Sequence, residues 1–149
     1  MMSELQNTVE QMLKAMSQKG CRITEQRRSL AALFAQNNTY LSPKEVYQHM
    51  RLQYPGISFD TVYRNLRLLS EWDVLEQVYL SEGPKFKASC LTHHHHHLIC
   101  MQCEKTIAID YCPMSWVAQG SQDFYATSHR FEVFGYCRDC HAYINMPLN

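Results

Sequence analysis

The sequence predicts an α+β protein. An N-terminal winged helix-turn-helix is expected over residues 1–84, and a small α/β unit with a four-cysteine zinc site over residues 85–149. Three observations predict it. Four apolar-periodic segments follow one another early in the chain, each with a start signal or a break. Two β-compatible runs then flank Ser81-Glu82-Gly83-Pro84, which reads as a hairpin. Finally, two Cys-x-x-Cys pairs, Cys100/Cys103 and Cys137/Cys140, stand on either side of about thirty residues of alternating β and helical texture.

The elements follow in order. From about Ser3 to Ser17, Leu5, Val9, Met12, Leu13 and Met16 fall at helical spacing, and Gly20 ends the segment. Thr24 reads as the N-cap of a second helix whose apolar face carries Leu30, Leu33 and Phe34. The third start is the best marked: Ser42 caps, Pro43 takes the first helical position, and Glu45 completes a capping box. After the Tyr54-Pro55-Gly56 break, Ser58 or Asp60 opens a fourth helix with Val62, Leu66 and Leu69 inside. Strands are expected at Val74 to Leu80 and Lys85 to Ser89, through the histidines to Ile99, near Thr106 to Tyr111, and near Arg130 to Tyr136. A helix is expected from about Pro113 to Gln119.

Composition narrows the function. An apolar fraction of 46% supports a buried core, and 19% charged residues is low for a disordered chain. Lys plus Arg equals Asp plus Glu at 14 each, so no overall basic field marks nucleic-acid binding. The N-terminal half is balanced too, and any DNA contact must come from local placement of charge. Seven cysteines, an odd number, argue against a complete disulfide framework. No stretch resembles a signal peptide or reaches membrane-span length, so a reducing cytoplasm is the expected compartment.

The metal-ligating residues carry the chemistry. Four thiolates in two knuckles, Cys100, Cys103, Cys137 and Cys140, meet the needs of a closed tetrahedral zinc site. The run His93 to His97 then supplies nitrogen donors beyond the four that such a site consumes. It is embedded between Cys90 and Cys100, not at a terminus where a purification tag would sit. In a strand, side chains alternate between faces, so His93, His95 and His97 point one way while His94 and His96 point the other. One run therefore serves two sites. A Cys, two His and a carboxylate suit tetrahedral zinc, and the soft thiolate biases against iron and manganese. Glu76, Cys90, His95 and His97 are such a set, and an ion held by all four would tie the hairpin to the second domain.

The fourth helix offers Thr61, Tyr63, Arg64 and Arg67 among its apolar residues. Thr61 suits a thymine methyl or a phosphate, Tyr63 presents a ring and a hydroxyl, and Arg64 suits guanine or phosphate. Lys19, Arg22, Arg27 and Arg28 form a basic stretch at the start of the second helix.

With these residues in view, the chain resembles the ferric uptake regulator (Fur) family of metal-dependent bacterial repressors from about Gly20 to Cys140. The resemblance rests on Gly20-Cys21-Arg22-Ile23-Thr24-Glu25-Gln26-Arg27, on Ser58 to Leu66, on His93 to Cys103, and on Cys137-x-x-Cys140. It implies a winged-helix DNA-binding domain, a C-terminal dimerisation domain, and a homodimer on a palindromic double-stranded operator when metallated. Residues matching Arg22, Tyr63 and Arg64 contact DNA in that family. Within it the chain looks most like the zinc uptake regulator (Zur) branch, whose sensing set maps onto Glu76, Cys90, His95 and His97. Tyr40 stands where peroxide sensors carry a histidine ligand, and Ala108 where they and the iron sensors carry a carboxylate. The resemblance also maps a second regulatory site onto His94, His96 and His129. Its carboxylate falls near Ser115, which cannot replace it, and Asp110 is a substitute away from the matching position. Cys112 receives no role, and Cys21 reads as a packed or idle thiol.

The expectation is a cytoplasmic, homodimeric, zinc-responsive repressor of zinc-uptake genes, with one structural and at least one regulatory zinc per subunit. It has no membrane partner and no small-molecule substrate. A repressor sensing iron, manganese or peroxide is the alternative. An enzyme would need zinc with an open position and a general base, and no base is placed as in a hydrolase or deaminase motif. Zinc storage alone does not require a recognition helix.

Overall fold

Caps decide where the helices of the first unit begin. The computed structural model describes residues 3–90, 94–117 and 122–144. In it, α1 (Glu4–Gln18) starts from a capping box between Ser3 and Gln6, and α2 (Glu25–Gln36) from Thr24, whose side chain accepts from the Arg27 amide. Helix α3 (Pro43–Gln53) starts from the expected Ser42/Glu45 box with Pro43 in its first turn. Helix α4 (Phe59–Glu71) starts at Ser58, not Asp60, because the Ser58 hydroxyl accepts from the Thr61 amide.

Two helix ends share one device. After α1, the amides of Gly20 and Cys21 donate to the carbonyls of Ser17 and Met16. After α4, the amides of Asp73 and Val74 donate to those of Ser70 and Leu69 in the same pattern. The motif needs a left-handed residue, supplied by Gly20 at φ 77° and by Asp73 at φ 58°. Glycine takes this conformation without strain, and aspartate at some cost.

The hairpin β1 (Leu75–Leu80) and β2 (Gly83–Ala88) is antiparallel, with Leu80 opposite Gly83. The turn is tighter than expected, since Gly83 and Pro84 already belong to β2. Gly83, at φ 116°, brings the chain back into register after Ser81 and Glu82. A bridge between Leu41 and Phe86 joins the loop before α3 to β2. Met12, Met16, Leu30, Phe34, Val46, Met50, Val62, Leu66, Leu69 and Phe86 are buried in one core. Their recurrence every three or four residues along each helix is the amphipathic pattern read from the sequence.

The units divide as Met1–Leu91 and Thr92–Asn149. A division after residue 84 would cut through β2, whose ladder continues to Ala88, so the whole hairpin belongs to the first unit. The second unit holds β3 (His96–Cys100), β4 (Thr106–Ile109), α5 (Met114–Val117), β5 (Glu132–Gly135) and α6 (Arg138–Ile144). Its sheet has the order β4-β3-β5, with β3–β4 antiparallel and β3–β5 parallel. The strands are shorter than expected, and α6 begins inside the second cysteine pair, right after Cys137, and carries Cys140, where no element was expected. His93 and the expected end of the helix near Gln119 lie outside the described residues. No described helix is long and apolar enough to cross a membrane.

An added Cβ at Gly20 meets nothing within 4 Å, so Gly20→Ala isolates the backbone effect. It is expected to destabilise the full chain by about 1 kcal/mol, whereas Asp73→Gly is expected to stabilise it by about 0.5 kcal/mol. Paired thermal or urea unfolding curves read both, and equal and same-signed shifts would refute the account.

Candidate metal centres and nucleic-acid face

Parallel pairing builds the cysteine centre. Cys100 ends β3 opposite Gly135, which ends β5 two residues before Cys137, so the two knuckles leave the sheet side by side. The Met101 amide donates to the Gly135 carbonyl at 2.8 Å, and the Glu104 amide to the Cys100 carbonyl at 2.9 Å, closing the first loop. Glu104 takes φ 62°, a left-handed turn residue. In the second knuckle the His141 amide donates to the Cys137 carbonyl at 2.8 Å, which starts α6.

The four sulfurs of Cys100, Cys103, Cys137 and Cys140 all lie within 4.8 Å of one another, and Cys103 and Cys137 are 3.8 Å apart. A tetrahedron of Zn–S bonds near 2.3 Å has an edge of about 3.8 Å, whereas a disulfide needs about 2.05 Å. The donor set therefore fits a zinc-sized ion, and all four are free thiols. Burial acts to raise the Cys100 pKa, but the amides of Cys103, Cys137 and Gln102, with the Cys103 thiol, outweigh it and bring the thiol down to about 6. Cys140 is pushed up to about 12, first by its hydrogen bond with Cys137, then by burial and by the Cys103 and Cys100 sulfurs. One negative charge settles readily at Cys100, and neighbouring sulfurs resist a second. A divalent cation removes that repulsion.

The histidine run alternates as strand geometry requires. The rings of His94 and His96 are 4.6 Å apart, and those of His95 and His97 are 4.7 Å apart. His129 joins the even pair, because the parallel offset of His97 to Glu132, carried back three residues, sets His129 beside His94. The Nε2 of His129 lies 3.2 Å from the Nε2 of both His94 and His96. Cys112 joins them too, its sulfur 3.4 Å from His94 and 3.3 Å from His129. Asp110 is not in this group among the described residues. His96 pairs with Ile109, the last residue of β4, so Asp110 already stands outside the ladder. Beyond Ile109 the chain leaves the strand, and the irregular turn before α5 swings the Cys112 thiol inward. Burial pushes the His96 pKa down, and the neighbouring His94 and His129 add to it.

The remaining expected ligands sit on their own units. Glu76 lies on β1 opposite Lys87, and the Tyr40 hydroxyl donates to its Oε2 at 3.3 Å. The Lys87 ammonium lies 5.8 Å from the Tyr40 ring centroid. Cys90 follows β2 in the first unit, half-buried, while His95 and His97 lie in the second. Ala108 is the β4 partner of His97.

Helix α4 exposes Arg64 and Arg67, with Thr61 and Tyr63 half-buried. Its N-terminus is rigid: Ser58 and Thr61 hydroxyls meet at 2.8 Å, and Tyr63 stacks on Phe59 with centroids 6.2 Å apart. Arg22 is exposed in the loop before α2. Arg27, read from sequence only as part of a basic stretch, has a positioning role. Its Nη1 donates to the Arg22 carbonyl at 2.8 Å and its Nε to Asn65 Oδ1 at 3.2 Å, so it locks the Arg22 loop to α4. Cys21 is buried in the core, as expected of a packed thiol.

The family model of the ferric uptake regulator family matches residues 18–134. The ferric uptake regulation protein of Staphylococcus epidermidis (strain ATCC 12228 / FDA PCI 1200) is 37% identical over 128 residues, covering 86% of this chain and 92% of that protein. That of Staphylococcus aureus (strain Mu50 / ATCC 700699) is also 37% identical, covering 86% and 94%. Among solved structures, a zinc uptake regulator complexed with zinc and DNA superposes with a TM-score of 0.75 at 21% identity, covering 95% of this chain and 98% of that one. The Helicobacter pylori ferric uptake regulator, described as having three functional metal-binding sites, superposes with a TM-score of 0.65 at 23% identity, covering 93% and 95%. At these identities the structural likeness establishes the fold.

Replacing Cys103 with Ser is expected to lower bound metal by one ion per chain and to unfold the second unit or its assembly, because binding energy at such a centre is folding energy. Metal analysis beside thermal unfolding reads both. An unchanged melt with unchanged metal content would show that the thiols hold no ion.

Proposed function

The chain belongs to the ferric uptake regulator family, and we propose that it is a zinc-responsive DNA-binding transcriptional repressor of zinc-uptake genes, active as a metallated homodimer. The observation that carries the zinc reading is sulfur. The four-thiol centre has the spacing of a zinc tetrahedron, and the sensing set read from the sequence, Glu76, Cys90, His95 and His97, includes a cysteine, whose thiolate favours zinc over iron and manganese. By resemblance, Tyr40 stands where peroxide sensors carry a histidine, and Ala108 where they and the iron sensors carry a carboxylate. Tyr40 binds Glu76 through its phenol, which orients the carboxylate without adding a nitrogen ligand. Glu76, Cys90, His95 and His97 would hold the regulatory ion, which would supply linkage and not catalysis.

The homodimer reading draws on what the second unit leaves uncovered. Ile107, Leu98 and Val133 pair across β4, β3 and β5 into one apolar row, each more than a third exposed. Its described buried residues are His96, Ile99 and Cys100, too small a core for a lone unit of this size. A second copy covering the row adds the missing burial and gives two α4 helices for the half-sites of a palindrome. Arg22, Thr61, Tyr63 and Arg64 are the residues for DNA. A bias of about 3 kcal/mol between metallated and free arrangements changes operator occupancy by about a hundredfold.

One observation favours a second reading. Relatives at 37% identity carry the name ferric uptake regulation protein, which supports an iron-sensing repressor. Titrating zinc, iron(II) and manganese(II) against operator binding separates the two, and activation by iron(II) below the zinc requirement would overturn the zinc assignment.

Cys90→Ser is expected to abolish zinc-dependent operator binding while the dimer stays folded. Normal repression by that variant would sink the sensing set. Arg64→Ala is expected to weaken operator binding by about 1–3 kcal/mol with unchanged zinc content. Fluorescence anisotropy on labelled operator, with metal analysis of the same sample, measures both effects, and unchanged affinity would contradict the recognition role of α4.

A further inference from the structure

We propose that Cys112 is the fourth ligand of a second metal site, completed by His94, His96 and His129, and that its thiolate makes this site select zinc or another thiophilic divalent ion over iron(II) and manganese(II). The site lies wholly within the second unit, and its ligand set does not depend on which metal Glu76, Cys90, His95 and His97 sense.

The geometry is that of donors facing one point. The Nε2 atoms of His94 and His96 are 3.0 Å apart, and each is 3.2 Å from Nε2 of His129. The Cys112 sulfur is 3.4 Å from His94 and 3.3 Å from His129, and all four donor atoms lie within 4.8 Å of one another. Tetrahedral zinc with bonds near 2.0–2.1 Å to nitrogen and 2.3 Å to sulfur sets edges of about 3.3 and 3.6 Å, close to this spacing.

Hydrogen bonding cannot account for such a cluster. A neutral imidazole carries one N–H and a thiol one weak S–H, so each donor atom sends at most one proton towards the group. Four atoms in five close pairs leave lone pair facing lone pair, or proton facing proton, in some of them. A central cation turns every lone pair to use. The surroundings hold the donors in place: His96 is 7% exposed and meets the Phe131 ring edge-on at 5.5 Å, and Phe131 packs against Tyr111 at 6.0 Å.

The donor type then sets the metal. With a carboxylate in fourth place, three imidazoles and an oxygen would accept iron(II) or manganese(II) as well as zinc. With a thiolate there, the site becomes Cys/His₃, a set suited to zinc and poorly matched to harder ions. Ser115 has no anionic donor, and Asp110 is not among the donors that gather with these histidines. Cys112 is thus the anionic member of the group.

Cobalt(II) binding to the full-length chain, with zinc kept in the four-cysteine centre, tests the assignment. A Cys90→Ser background removes the sensing-set thiolate, so any remaining thiolate-to-cobalt charge-transfer absorption reports Cys112. That band is expected in Cys90→Ser and is expected to vanish in Cys90→Ser/Cys112→Ser. Zinc affinity of the site should fall by at least the roughly 10–100-fold that loss of an outer-shell partner already costs. Cys112→Asp should keep binding but shift preference towards manganese(II). Identical spectra in the single and double variants would overturn the proposal. Should the double variant misfold, alkylation of the unsubstituted chain by iodoacetamide with and without added zinc, mapped by mass spectrometry, decides the question. Protection of Cys112 by zinc supports the ligand role, and equal labelling overturns it. None of these readouts involves DNA, so failure of the zinc-sensing reading would leave them unaffected.

Discussion

The meeting of four sulfurs at the ends of β3 and β5 is the constraint on which the second unit depends. Its strands are four or five residues long, and two apolar side chains, Ile99 and Cys100, are buried among those described. Burial of so few groups contributes a few kcal/mol, while ordering each residue costs about 1–2 kcal/mol. A structural zinc contributes on the order of 10–16 kcal/mol in small domains, which is the scale the sheet needs. The parallel ladder and an ion at the four thiols would also specify each other. Pairing Cys100 with Gly135 puts both knuckles at one edge, and holding the knuckles together fixes the register of the ladder.

The first unit has the opposite economy. Its helices bury a continuous apolar core, the main source of stability for such a unit. The Arg27 guanidinium hydrogen-bonds both the Arg22 carbonyl and Asn65, so it links the loop that presents Arg22 to the helix that presents Arg64. A side chain that reads from sequence as one more positive charge is a brace for its neighbours.

Much of this was legible in the residues. Ser42 with Glu45, Thr24 and Ser58 mark helix starts by local hydrogen bonding, which needs no tertiary context. The two Cys-x-x-Cys pairs and the alternation of the histidines are equally local. What escaped depends on register or on departures from it. The hairpin turn was read one residue pair too long because Pro84 suggests a loop, yet a proline is tolerated on an edge strand and Gly83 supplies the bend. Helix α6 is a single short piece that continues the second knuckle, too brief for a periodic signal. Cys112 was invisible for the same reason: strand alternation excludes it, and it reaches His94 and His129 because the strand stops at Ile109. The signal that could have found it was chemical, a spare thiol near a histidine site that lacked its anion.

The histidine run concentrates two donor pairs on a stretch of four residues, His94 to His97, and that has a thermodynamic consequence. His94 and His95 precede the ladder, which begins at His96, so no strand pairing fixes them. An ion held by His94 and His96 restricts the backbone on either side of His95 and thereby limits where the opposite face can present its imidazoles. The reverse holds by necessity, since coupling between two binding events is reciprocal in free energy. Donors on alternating faces of one strand are chemically separate and mechanically joined. If Cys90 and Cys112 both serve as ligands, the two sets would share a metal preference, and one ion's availability would govern both. Had the even-numbered face kept a carboxylate, a harder ion could have occupied it while zinc occupied the other, and the shared backbone would have mixed two signals. A Cys112 ligand in the even-numbered set would remove that ambiguity.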